Sequence, residues 1–275
     1  MSGRPEEENN IPQDSGFLSA GRRGIMICIP IVAGSRLEAL QEIEKSSSLA
    51  DVLELRMDLI HGGNLGELIN MARSLSRSVK IIVTNRRKNE GETRLSPYSG
   101  TDAGGPIEEL NAGEERRRIA VLKEAVSLGA DYVDVELDTG ESLRRELLSM
   151  IGDHDNRTQL IVSHHDFSKT PSAKRLREIF HESVNAGAGI VKIVTFAGTP
   201  EDNLRLLSLI PYARRKKREI IAFCMGDQGR ISRIMAPILG SLLTFASSRE
   251  GSESAAGQLT IGEMREIFRI LKVET

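Results

Sequence analysis

Residues 188–215 read AGIVKIVTFAGTPEDNLRLLSLIPYARR, a short apolar run followed at once by a longer segment that carries charge. The run from Ile190 to Thr195 is β-branched and of strand length, with a single lysine, Lys192, in its middle. Thr199-Pro200-Glu201-Asp202 then supplies a helix start: the threonine can cap, proline suits the first turn, and the carboxylates meet the positive helix end. The spacing predicts a helix from Glu201 to Arg214, which completes one strand-helix unit.

Outward from this unit the same alternation spans the chain. Strands are predicted at Ile25–Ala33, Val52–Met57, Val79–Thr84, Tyr132–Leu137, Leu160–Ser163, Ile190–Thr195, Ile220–Cys224 and Leu242–Phe245. Helices are predicted at Arg36–Lys45, Leu65–Ser76, Glu114–Leu128, Leu143–Met150, Ala173–Ala186, Glu201–Arg214, Ile231–Leu239 and Ile261–Leu271, with Thr170-Pro171-Ser172 as a second capping signal. Strands joined by crossover helices pair in parallel. Eight such units suit a single (β/α)8 TIM barrel over 24–275, although a doubly wound open sheet reads similarly. Residues 1–23 have almost no apolar content and are expected to form a tail. The segment Asn89–Ile107, rich in Gly, Ser, Pro and Thr, is expected to be a long loop on the active face.

Bulk properties exclude several function classes. Thirty-seven basic against 39 acidic residues leave a formal charge of −2, so no global field favours nucleic acid or an anionic membrane as a partner. No apolar stretch has the length of a membrane span, and the first residues are polar rather than signal-like. Cys28 and Cys224 lie in apolar runs as expected free thiols, which fits a reducing cytoplasm. Walker, G-x-G-x-x-G and G-x-S-x-G patterns are missing, so nucleotide binding and serine hydrolysis lack support. The run RRKKR at 214–218 reads as a solvated helix end.

Charged residues collect near strand ends. In DVLELRMD, Glu54, Arg56 and Asp58 share one face, because side chains alternate along a strand. Thr84 and Arg86, Asp134 and Glu136, Ser163 and His165, and Lys192 continue the pattern on the next strands. In a closed barrel they converge on one mouth, which suits a polar, anionic ligand. Lys192 in an apolar run is costly to bury, and cations beside it (Arg56, Arg86 or Arg233) would favour the neutral, nucleophilic amine. His164 and His165 face opposite ways and cannot bind one metal together, so neither metal nor cofactor is expected.

Taken in order, ELRMD (54–58), TNRRKNEG (84–91), YVDVEL (132–137), SHHDFSKTP (163–171), VKI around Lys192, MGDQGRISR (225–233), GSLLTFA and SAAGQLT (254–260) resemble the type I 3-dehydroquinate dehydratase family over nearly the whole chain after Gly24. The resemblance implies dehydration of 3-dehydroquinate through an imine on Lys192, with His165 as general acid and base and Glu90 orienting it. It further implies that Arg233 clamps the substrate carboxylate, with Ser254 and Gln258 on a closing loop. By the same resemblance Glu54, Arg56 and Arg86 are expected as the remaining substrate contacts, with Asp134 and Glu136 expected behind them. A homodimer is as compatible with the family as a monomer. The alternatives are an aldolase-like Schiff-base barrel and a non-catalytic binder of a shikimate-pathway metabolite.

Overall fold

Each predicted strand forms, and every pairing between strands is parallel. The computed structural model describes residues 24–87, 107–154 and 157–273. Its strands are β1 (Ile27–Ile31), β2 (Val52–Arg56), β3 (Lys80–Thr84), β4 (Tyr132–Glu136), β5 (Gln159–Asp166), β6 (Ile190–Phe196), β7 (Glu219–Met225) and β8 (Thr244–Phe245). The strand order, β7-β6-β5-β4-β3-β2-β1-β8, contains no reversal, so the switch point of a doubly wound sheet does not arise. Between β7 and the approach to β8, Leu242 N donates to Ile220 O at 2.8 Å, and the Ser241 hydroxyl accepts from Ala222 N at 3.4 Å. These bonds join the two ends of the sheet into a (β/α)8 barrel.

Helices follow the strands as α1 (Arg36–Ser46), α2 (Leu65–Leu75), α3 (Ile107–Ser127), α4 (Glu141–Asp153), α5 (Ala173–Asn185), α6 (Pro200–Leu207), α7 (Leu209–Arg215), α8 (Arg230–Leu239) and α9 (Ile261–Ile270). Both capping signals act as expected: Thr199 N donates to Asp202 Oδ2 at 3.1 Å, and Arg175 N to Ser172 Oγ at 3.3 Å. Each cap contributes about 1 kcal/mol.

Three of the differences from the expected boundaries have a clear physical reason. The helix expected from Glu201 to Arg214 divides after Leu207, because Pro211 lacks an N–H and its ring would collide with the carbonyl four residues back. Helix α3 starts at Ile107 rather than Glu114, since Gly113 costs a long helix only about 1 kcal/mol. Strand β5 continues past Ser163 to Asp166, because His164, His165 and Asp166 stay in register with Ile193, Val194 and Thr195 of β6.

Alternation then sorts the side chains. Leu53, Leu55, Val133, Val135, Val191 and Ile193 are sealed between strands and helices. Burying such a side chain contributes roughly 1.5–3 kcal/mol, which holds the barrel wall rigid around its polar interior. The residues between them, Glu54, Asp134 and Lys192, face into the barrel, where Lys192 meets both carboxylates.

Candidate active site

Lys192 is sealed inside the barrel, 4% exposed. Its Nζ donates to Asp134 Oδ2 at 2.8 Å and lies 3.5 Å from Glu54 Oε1 and 4.8 Å from the Phe245 ring centroid. Thr84 Oγ1 donates to the same Glu54 oxygen at 2.7 Å. The nearest charged neighbours of the amine are therefore carboxylates, not the arginines that sequence reasoning placed beside it. A buried charge is tolerated when an opposite charge meets it. Of those arginines, Arg56 turns to Asp58 as a two-pronged pair (3.0 and 2.6 Å), and Arg233 stacks on Phe223.

Arg86 forms the second centre. Its Nη2 lies 3.3 Å from Asp134 Oδ2, and its Nη1 reaches Ser163 Oγ at 3.0 Å and His165 Nδ1 at 3.2 Å. Ser163 Oγ donates to Asp134 Oδ1 at 2.6 Å. Burial pushes the Asp134 carboxyl up, but Lys192, Arg86 and His165 outweigh it and hold the group well below the usual carboxylate range. Burial, then the charges of Arg86 and Lys192, push His165 well below an ordinary histidine. A guanidinium can only donate, so Nδ1 presents its lone pair and the neutral ring carries its proton on Nε2.

His165 and Lys192 sit two residues apart in register on neighbouring strands and on the same face. Strand spacing and rise put their Cα atoms roughly 8 Å apart, a separation that a six-membered ring can bridge.

Arg233 on α8 is fully enclosed and lies 4.6 Å from the Phe223 ring centroid, while Phe223 packs 5.5 Å from Phe245. Burial pushes its guanidinium down to about 10. Its Nη2 donates to Ala256 O at 3.3 Å, yet its Nε has no hydrogen-bond partner among the described residues. Gln258, two residues beyond Ala256, accepts from Ser254 N at 2.7 Å and Ser254 Oγ at 3.2 Å, and its buried Nε2 likewise lacks a partner. Two buried donors without acceptors cost about 1–3 kcal/mol each, so this corner is built to receive an acceptor.

Glu90 and the rest of the expected loop up to residue 106 lie outside the described residues, as does the expected tail at 1–23, whereas Ile107 begins α3. Of the other eight expected site residues, seven fall into three groups: Lys192 with Glu54, Arg86 with His165, and Arg233 near Ser254 and Gln258; Arg56 turns away to Asp58. Sequence reasoning underrated Asp134, which directly holds Lys192. It missed Arg118, which holds Glu136 from α3. Asp134 was accessible from its place two residues before Glu136 in YVDVEL; Arg118 carries no local signal.

Among the described residues no group of three or more His, Cys, Asp or Glu is arranged to hold a metal ion. No helix there is long and apolar enough to cross a membrane.

Fold and side-chain pairing define a parallel (β/α)8 barrel with a buried polar cluster around one amine. The chain belongs to the type I 3-dehydroquinase family, whose model matches residues 27–275. It is 35% identical to the 3-dehydroquinate dehydratase of Desulfotalea psychrophila over 219 residues, covering 80% of this chain and 86% of that one. The corresponding protein of Methanocaldococcus jannaschii is 32% identical over 249 residues, covering 90% of this chain and all of its own. Among solved structures, the type I 3-dehydroquinate dehydratase of Clostridium difficile, bearing covalently modified comenic acid, superposes with a TM-score of 0.75 at 25% identity, over 91% of this chain and 94% of that chain. The Geobacillus kaustophilus 3-dehydroquinate dehydratase gives 0.72 at 28% identity, over 90% of this chain and 91% of that chain.

Proposed function

We propose that this protein is a 3-dehydroquinate dehydratase that removes water from its substrate through an imine on Lys192. The observation that carries the reading is the buried amine of Lys192, on the same barrel face as a neutral imidazole two register positions away.

Lys192, held as its ammonium by Asp134 and Glu54, releases one proton as its nitrogen attacks the ring ketone; that proton leaves with the adduct hydroxyl as water, and an iminium remains. With the Nδ1 lone pair that meets Arg86 in the free protein, His165 removes a proton from the adjacent carbon, and the electrons of that C–H bond flow into the iminium to form an enamine. The enamine expels the β-hydroxyl, which takes the proton from the imidazolium and leaves as water. Hydrolysis then frees Lys192 and the enone product. The substrate carboxylate pairs with Arg233, whose planar fork suits it, while Gln258 and Ser254 cover the same end. Glu54, Arg56 and Arg86 hold the ring hydroxyls and the carbonyl. Glu90, by family resemblance, hydrogen-bonds the imidazole, fixes its tautomer and stabilises its charged form. Two buried free thiols fit a reducing compartment, and we place the enzyme in the cytoplasm without a metal requirement.

Incubation with 3-dehydroquinate and borohydride, followed by intact and peptide mass measurement, tests the reading. A reduced adduct confined to Lys192, together with enone absorbance in the absence of borohydride, is expected. An adduct with aldol substrates but none with dehydroquinate would make the protein an aldolase-like barrel instead. Binding without enone formation would make it a sensor.

A further inference from the structure

Arg118 sits on α3, outside the strand barrel, yet it is only 6% exposed. Its Nη1 pairs with Glu136 Oε2 and donates to Asn85 O at 3.2 Å. Nη2 donates to Thr139 Oγ1 and Glu115 Oε1, each at 2.7 Å, and Nε donates to Glu115 Oε2 at 3.0 Å. A guanidinium this deep is costly unless all its donors are used, and here they are spent on the backbone and side chains that frame β3 and β4. The other oxygen of Glu136 accepts from Arg87 N at 3.0 Å and faces Arg86 Nη1 at 3.7 Å. That same Arg86 nitrogen makes the bonds to Ser163 and His165. Glu136 and the imidazole thus compete for one end of one guanidinium.

We infer that Arg118 is a positioning residue for the dehydration: by engaging Glu136 from behind, it leaves Arg86 directed at Ser163 and His165 instead of drawn into a close pair with Glu136. The inference rests on the reading of His165 as the base, and it adds a residue that never touches substrate. Without Arg118, the remaining ion-pair partner of Glu136 among the described residues is Arg86. Coulomb attraction then moves that guanidinium toward Glu136. His165 faces Arg86 from the end of β3, Asp134 from β4, Lys192 from β6 and His164 on its own strand. Of these only Arg86 is connected to Arg118. Its retreat removes a positive neighbour, so His165 takes up a proton at higher pH.

The test is a histidine NMR titration of the free protein, which has five histidines, with His165 assigned from the spectrum of His165→Asn. In Arg118→Gln the His165 midpoint should rise by about one pH unit, a tenfold change in proton affinity. The acid limb of kcat/KM should move with it, and KM should rise. Adding Glu136→Gln to that variant should return the midpoint toward the wild-type value, which a merely structural loss would not do. Should Arg118→Gln fail to fold, Arg118→Lys carries the same comparison with a smaller shift. A folded variant with an unchanged His165 midpoint, or a double variant that shows no return, overturns the inference. The titration uses no substrate, so it tests the relation of Arg118, Arg86 and His165 separately from imine trapping, whose failure would remove the dehydration that this relation serves.

Discussion

Lys192 Nζ lies 2.8 Å from Asp134 Oδ2, and both groups are closed off from solvent inside the barrel. One carboxylate thereby anchors the amine and, through its 3.3 Å approach to Arg86, the cation beside the imidazole.

Asp134→Asn should lower stability at neutral pH by roughly 3 kcal/mol, the low end for breaking a buried pair, because Glu54 still faces Lys192. The folded carboxyl is held below its unfolded value of about 3.9, so its contribution is full above that pH and is lost as pH falls toward the folded value. Urea unfolding at neutral pH and near pH 3 should show the difference between wild type and variant shrinking with acid. A difference independent of pH would mean that the aspartate charge does not stabilise the fold.

Lys192→Ala should abolish turnover and borohydride trapping while the barrel stays folded, since Asp134 keeps Arg86 as its counter-charge. Far-UV circular dichroism and enone absorbance measure the two halves of this outcome. Appreciable turnover by the variant is incompatible with imine catalysis.

His165→Ala should still give the reduced lysine adduct but stall at proton transfer, as a mass measurement paired with enone absorbance will report. In the wild type, burial and the nearby cations keep His165 neutral well below pH 6.5, so the acid limb of kcat/KM from this group should lie below that of an ordinary histidine. A wild-type rate in the variant removes the imidazole from its role.

Arg233→Lys keeps the charge but loses the planar fork whose Nε has no partner among the described residues. Charge-assisted hydrogen bonds contribute about 1.5–3 kcal/mol, so KM for dehydroquinate should rise by about tenfold or more, with trapping restored at high substrate. An unchanged KM would place the substrate carboxylate elsewhere.

Gly257→Ala should unseat the segment that carries Ser254 and Gln258. Gly257 has φ +76°, and a Cβ there would stand 2.1 Å from the carbonyl oxygen of Gly226, whose own N–H donates to Ala256 O at 3.0 Å. Loss of this close approach should reduce kcat/KM by about tenfold, equivalent to ~1.4 kcal/mol, and increase protease cleavage between β8 and α9. A variant as active and as protease-resistant as wild type would show that the backbone contact has no part in closure.

Much of this molecule was legible along the chain. Strand length, β-branching and capping signals located all eight strands and each predicted helical stretch, because these depend on residues within a few positions of one another. Alternation also assigned Glu54, Lys192 and His165 to the barrel interior before any contact was known. The helix break at Leu207 was accessible as well, since Pro211 prescribes it locally.

What distance along the chain concealed was which charge meets which. Lys192 and Asp134 are 58 residues apart, and Arg86 and His165 are 79 apart, so no periodicity relates them. Sequence gave Lys192 cationic neighbours; the closed ring of strands gave it carboxylates, because burial selects the pairing with the lowest desolvation cost. Local sequence therefore determined the elements and the faces on which the reactive groups lie. The partners of those groups, and Arg118 behind Glu136, were decided only when parallel strands closed into a barrel and set their register.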